Sequence, residues 1–267
     1  MRNLARIFAC TLLTGTLLGI HPNAVPAQES PAGADKSTLI YNEQVVKKLL
    51  EESDPDVAFL ARLKMMQGHL HEAVAAASRG DPAEAREHIT HPGSEILPDI
   101  LSVLNSRNLK DPSPVLTAAL EAIDRGNVED MEDAVDAAVG EIVLAEASID
   151  PAKMVINGIV ADVAVLLLRT AVAEYAEAFK YGKIVNIIEY HDGSAFVTEA
   201  AILIRGAEPQ WVAQDAAAYA KLDQSLTELQ TAWPGAVPPA KSIVALTKML
   251  ALVTIIELQI NQIRAGV

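Results

Sequence analysis

The residues best suited to chemistry in this chain are its histidines, and most of them crowd into one stretch. His69, His71, His88 and His91 all lie between residues 69 and 91. Imidazole nitrogens bind borderline transition metals as neutral donors and exchange protons near neutral pH. Carboxylates accompany them: Glu72 stands three residues after His69 and Glu95 four after His91, spacings that share a helix face. The two His pairs flank a turn at Gly80-Asp81, one pair before it and one after, at similar separations. On helices joined by so short a turn, a rise of ~1.5 Å per residue brings both pairs to one height. His69, Glu72, His88, His91 and Glu95 are therefore the first candidate metal site. Without thiolates, such a set suits iron, zinc, copper or manganese. The competing reading is polar histidines on a helix-pair surface, held by ordinary hydrogen bonds.

A second concentration of ligands lies in Glu174 to Phe196, EYAEAFKYGKIVNIIEYHDGSAF, where Tyr175, Glu177, Glu189, Tyr190, His191 and Asp192 gather. Carboxylate and phenolate oxygens favour hard cations such as ferric iron. Tyr175, Glu189, Tyr190 and Asp192 form the weaker candidate site. A solvated helix hairpin with tyrosines capping its ends would use the same residues. Asp162 and Glu257 fall inside apolar stretches, where a carboxylate needs a partner; Arg169 is one supplier.

The elements that must position these residues read as helices throughout. Phe59, Leu63, Met66, Leu70, Val74 and Ala77 draw one apolar stripe along a helix from Val57 to Arg79. Gly80 suits its C-terminal cap, and Asp81-Pro82 starts the next helix as N-cap and first residue. His91-Pro92-Gly93-Ser94 is expected to interrupt that helix, with a new one running to Asn105. Glu43 to Glu52 forms a short helix, and Arg107 to Pro114 reads as a linker. Val115 to Ile123 and Val128 to Glu146 form a hairpin about Gly126-Asn127. Asp150-Pro151 opens a long helix to Tyr181, and Gly182, Asn186 and Asp192-Gly193 read as turns. Helices follow over Phe196 to Ile204, Trp211 to Ala232 and Ser242 to Arg264. No alternating strand pattern stands out. The expectation is an all-α fold, a helical bundle of about nine helices, with room for two packed bundles. Residues 38–106 would carry the His-bearing helical hairpins and 115–267 the C-terminal bundle.

Composition narrows the function. Lys and Arg number 21 against 35 Asp and Glu, a formal charge of −14, with no basic stripe for phosphate contacts. That excludes nucleic acid as the expected partner. The single cysteine, Cys10, excludes a disulfide scaffold or a cysteine-ligated zinc site. No HExxH, GxxxxGK or GxSxG motif occurs, and no Glu lies three residues before a His as di-iron bundles require. The expectation is a binding protein, not an enzyme.

Residues 1–27 have the order of a secretory signal peptide: Arg2 and Arg6, an apolar run to Ile20, then Val25-Pro26-Ala27. Cleavage near Ala27 would leave a flexible leader at 28–37 and a periplasmic or secreted protein. A lipoprotein signal ending at Cys10 is the lesser alternative. Met154 to Ala173 and Ser242 to Ile260 are apolar but carry Asp162, Arg169, Lys248 and Glu257. Charges at mid-bilayer cost ~2.5–3.5 kcal/mol each, so both read as core helices and not as membrane spans.

The stretch YAEAFKYGKIVNIIEYHDGSAF resembles extracytoplasmic helical domains attached to bacterial high-affinity iron permeases. Tyr175, Gly182, Val185, Asn186, Glu189, Tyr190 and Phe196 are the matching positions, and Trp233-Pro234 before the last helix is similar too. The permease's own Arg-Glu-x-x-Glu membrane helices are absent, so transport itself is not implied. A looser resemblance links Gly68-His69-Leu70-His71-Glu72 to the Gly-x-His-x-x-Glu motif of imelysin-like periplasmic iron-uptake proteins, although here Gly is adjacent to His. Both resemblances imply iron handling outside the cytoplasm. The expected function is an exported soluble helical protein binding a transition metal, iron before zinc or copper, for uptake or delivery. Its expected partner is a membrane iron permease or another periplasmic protein. The alternative is a metal-free helical interaction module docking such a partner.

Overall fold

In the computed structural model the described residues are 42–266, so the expected signal peptide and leader lie outside the described residues. Ten α-helical segments follow one another: α1 Glu43–Glu52, α2 Pro55–Ser78, α3 Pro82–His91, α4 Leu97–Ser106, α5 Ser113–Asp124, α6 Val128–Glu146, α7 Val160–Ala178, α8 Ile187–Gly206, α9 Glu208–Gln230 and α10 Leu246–Ala265. A π-helical turn, Pro92–Ile96, joins α3 to α4 without a break, so the described residues form nine helical rods. The all-α bundle expected from the sequence is what the chain forms. The one departure is a two-residue hairpin, β1 Phe179–Lys180 against β2 Lys183–Ile184. Its turn residues Tyr181 and Gly182 both have positive φ, the form that matches strand twist in two-residue hairpins.

Capping chemistry sets the helix starts near the histidines. Asp54 accepts from the Asp56 amide before Pro55 opens α2, and Asp81 accepts from the Glu84 amide before Pro82 opens α3. Between them Gly80 takes φ +81°, which ends α2 and turns the chain back. Asn127 and Asn186 cap α6 and α8 in the same way.

α2 is the central rod. It packs against α3, α6, α7 and α8, and Phe59, Leu60, Leu63, Met66 and Leu70 are buried along it. Lys64 on α2 is buried too and reaches Glu146 of α6 at 2.8 Å and Glu199 of α8 at 3.9 Å. One hydrophobic core thus runs continuously across the stretch 107–114 that the sequence suggested as a boundary. That stretch is held in place: Arg107 stacks on Phe59 and pairs with Asp56, which also pairs with Lys153. α7 to α10 close a ring in which each helix contacts the next and α10 returns to α7.

Several helix limits differ from the sequence reading; α10, for example, begins at Leu246 and not at Ser242. His91-Pro92-Gly93-Ser94 does not break the rod, because the wider π turn absorbs Pro92, whose missing amide would otherwise leave a gap. α7 begins at Val160 and not at Pro151; residues 151–159 form successive turns. Asp192-Gly193 is no turn but lies well inside α8. Gly193 is there for space: a Cβ would stand 2.9 Å from the Trp233 ring and 3.0 Å from the Ala171 carbonyl. Trp233 closes over it and donates its indole N–H to the Tyr190 carbonyl at 2.9 Å.

α10 is long and apolar enough to cross a membrane by length and composition. In the fold it buries Met249, Leu252, Val253, Ile256, Ile260 and Ile263, and Glu257 pairs with Arg169 of α7 at 2.7 Å.

Two substitutions test this packing. Gly193→Ala should lower stability by about 1–3 kcal/mol, the usual cost of overpacking. Gly140→Ala, where a Cβ meets nothing within 4 Å, should be neutral or stabilise by up to ~1 kcal/mol. Urea melts followed by circular dichroism read both. The Asp56 anchor adds a pH signature. The hydrogen bond from Lys153 is the largest influence holding its carboxyl below the usual range, with Arg107 assisting against partial burial. A lowered folded pKa gives stability that is present above the unfolded value, ~3.9, and lost as pH falls through the folded one. Asp56→Asn should therefore cost about 1 kcal/mol at pH 7, with the gap to the parent closing below pH ~3.9.

Candidate metal centre

The turn at Gly80-Asp81 folds α3 back along α2, and the imidazoles of the two helices meet at one level. Ring centroids of His69 and His91 are 5.1 Å apart, those of His69 and His88 6.4 Å, and those of His88 and His91 6.3 Å. α8 lies across this pair and brings Asp192 into the middle. Asp192 Oδ1 is 2.7 Å from His69 Nδ1 and 2.9 Å from His88 Nδ1, and Oδ2 is 3.2 Å from His91 Nδ1. The carboxylate is 1% exposed. Gly68 permits the approach, because a Cβ there would press on Ala195 and Phe196 of α8 at 3.2 Å.

The residue before Asp192 in α8 builds a second group. His191 Nδ1 lies 2.7 Å from Glu84 Oε1, and His88 Nε2 lies 3.6 Å from the same oxygen. Among the described residues two sets of three offer ligand atoms within 4.8 Å of one another: His69, His91 and Asp192, and Glu84, His88 and His191. Each is two imidazoles and one carboxylate. Bonds of ~2.0–2.2 Å to a common ion would place neighbouring donors roughly 2.8–3.6 Å apart, and the carboxylate–imidazole contacts of the two sets run from 2.7 to 3.6 Å.

Hydrogen-bond directions separate these contacts into two kinds. The His88 and His91 Nδ1–H groups donate to Asp192, whose oxygens can only accept. His69 Nδ1, in contrast, is buried and 2.7 Å from Oδ1 yet has no hydrogen-bond geometry to any partner. Two donors side by side without a proton aligned between them suit ligands converging on a third point.

The electrostatics follow from burial and charge together. Burial raises the Asp192 carboxyl, but the His69 charge and the bonds from the surrounding imidazoles outweigh it and hold it well below the usual range. Burial lowers His88, yet its hydrogen bond to Asp192 and the nearby Glu84 carboxylate prevail and lift it to about 9. His91 is raised in the same way, burial being overcome by Asp192. Glu84, raised by burial, is drawn down to about 2 by His88, His191 and Arg79.

The sequence-derived residues fall in distinct places. His69, His88 and His91 meet at Asp192, which the sequence had put in the weaker second site, so the two candidate sites are joined at one centre. Glu72 lies beside it, its carboxyl raised by burial and sensing His191 and His88, with Arg79 3.8 Å away. Glu95 is exposed and lines a cavity of about 360 Å³ with His91, Asp99, Glu189 and Asp192. It stands outside the convergent sets because the π turn replaces the α-helical repeat that would have aligned it with His91. His71 leaves the group and faces Glu199 at 3.3 Å. Tyr175 and Tyr190 belong to an aromatic cluster with Phe179 and Trp233. The Tyr190 hydroxyl donates to the Gly235 carbonyl, and burial pushes its pKa to about 12, so it offers no phenolate. Glu189 accepts from the Asn186 side chain at 3.2 Å.

Glu84 is the residue that sequence reasoning missed. It stands four before His88, a shared-face spacing. Its place three after the N-cap Asp81 is also that of an ordinary first-turn acid.

Residues 156–265 match the family described as the iron permease-associated 4-helix bundle domain. The matched span takes in the ring α7 to α10, and the expected resemblance to helical domains of iron permeases fits it. No curated protein and no solved structure matches the chain. Of the six convergent ligands, only His191 and Asp192 fall inside the matched span; the others come from α2 and α3.

Asp192→Asn should destabilise the metal-free protein by about 3 kcal/mol, since it removes the buried partner of several imidazoles. A shift in the denaturation midpoint with an unchanged slope would show it.

Proposed function

We propose that this chain captures a transition-metal ion, iron in its biological setting, and hands it to a membrane permease. The observation that carries the reading is the set His69, His91 and Asp192 at the inner end of the 360 Å³ cavity. Two imidazoles and one carboxylate form a donor set that ferrous iron accepts, as do zinc and cobalt. Glu95, Asp99, Glu174 and Glu189 line the cavity against Lys47 and Arg62, so its net field favours an approaching cation. His91 is the ligand nearest solvent, its side chain 16% exposed, and offers a path for entry and release. The action is capture and release, without turnover. Export through the segment 1–27 and a periplasmic place of work complete the proposal. The iron-permease association of residues 156–265 supports the choice of metal and partner.

Elemental analysis of the purified protein, followed by anaerobic Fe²⁺ titration at pH 7.5 and 5.5, tests this. Near-stoichiometric binding is expected, weakened at least tenfold by His69→Ala or His91→Ala. Protons compete for the same nitrogens, so affinity should fall at pH 5.5; because His91 is raised, the gain with pH continues above ~6.5. Affinity no tighter than about millimolar, ~4 kcal/mol of binding, together with indifference to His69→Ala, would sink the reading.

A further inference from the structure

The geometry points to a second cation site, closed from solvent, formed by Glu84, His88 and His191. It would take a divalent ion of borderline character, Zn²⁺, Co²⁺ or Fe²⁺, on two imidazole nitrogens and one carboxylate. All three side chains are deeply buried, with His88 at 0% and His191 at 2% exposure.

The tautomers carry the argument. His88 Nδ1 faces Asp192 Oδ1 at 2.9 Å, and His191 Nε2 faces the Ala236 carbonyl at 2.7 Å. Both partners are acceptors only, so both of those nitrogens carry hydrogen. In the neutral imidazoles the remaining nitrogens, His88 Nε2 and His191 Nδ1, then hold lone pairs. Both are buried, and neither has a hydrogen-bond partner. They are also the atoms that approach Glu84 Oε1, at 3.6 and 2.7 Å. A carboxylate and a carbonyl on the far nitrogens orient the rings as they do in metal sites generally, where the outer hydrogen bond fixes the ligating nitrogen. Arg79 donates to Glu84 and fixes the carboxylate.

The site shares Asp192 with the cavity site only through a hydrogen bond. Asp192 would be a ligand in front and the orienting partner of His88 behind. No ligand is common to the two sets, so either site can exist without the other.

Co²⁺ serves as the probe, read by its visible ligand-field absorption and by equilibrium dialysis of the full chain. The parent should bind two equivalents. His91→Ala should keep one, and Glu84→Gln and His191→Gln should each lose one while retaining the cavity site. If His91→Ala holds the single remaining ion and Glu84→Gln then abolishes it, the second site stands whatever becomes of the cavity site. A stoichiometry of one that Glu84→Gln and His191→Gln leave untouched overturns the second site, as does the absence of any binding. Should the variants fail to fold, crystals of the parent grown with Co²⁺ decide by anomalous scattering. A peak among Glu84, His88 and His191 supports the site. A peak only at His69, His91 and Asp192, or none, shows instead a structural network of charged imidazoles.

Discussion

The burial of the Asp192 carboxylate is the constraint on which the rest of the site depends. An ionised carboxylate removed from water is tolerated only when its oxygens are surrounded by donors. Here the surrounding imidazoles come from three places along two helices: His88 and His91 of α3 donate to it, and His69 of α2 stands 2.7 Å from Oδ1. They can reach Asp192 only if α2 and α3 are a tight hairpin and α8 crosses them closely. Gly80 at φ +81° provides the first condition, and Gly68 beneath Ala195 and Phe196 provides the second. Gly193, on the next position of α8, lets the opposite side of that helix seat under Trp233 and against α7. The polar centre and the small residues around it are one arrangement: a bulkier side chain at either glycine would push Asp192 away from its donors.

Much of this was legible in the sequence, for identifiable reasons. The 3–4 spacing of Phe59, Leu63, Met66 and Leu70 and the Asp81-Pro82 start are local signals, and local signals set helix pairs. Once the hairpin is known, equal distances from Gly80 put His69 and His91 at one level without further information. What stayed hidden depends on contacts distant in sequence. Asp192-Gly193 has turn-forming residue types, and only the pressure of Trp233, forty residues later, shows why a glycine sits inside a helix there. The π turn at Pro92–Ile96 likewise has no periodic signature, and it moved Glu95 to the cavity wall. Glu84 was masked by its second role in the first turn of α3. Tyr175 and Tyr190 illustrate the converse: residue type suggested ligands, whereas burial beside Phe179 and Trp233 makes them packing.

The site also lies at a seam. The span related to iron permease-associated bundles forms the ring α7 to α10, which contributes His191 and Asp192. The remaining four convergent ligands come from the hairpin α2–α3, which packs on that ring through α8. Neither part alone holds a complete set of donors. A four-helix ring carrying only the His191-Asp192 pair would leave both side chains facing whatever covered α8, so the chemistry of this centre belongs to the combination and not to the matched bundle by itself.

The charge balance of the centre describes how an ion would enter it. Asp192 and Glu84 bring two buried negative charges, and Arg79 offsets part of that through Glu84. The imidazoles must supply the rest, which is why His88 is driven to about 9 and His91 is raised despite burial. In that state protons act as the counter-ions of the carboxylates. A divalent ion replacing them would leave the local charge nearly unchanged while converting imidazolium nitrogens into ligands. A metal would thus meet the same buried carboxylates that hold the helices together, in competition with the protons those carboxylates retain on the imidazoles.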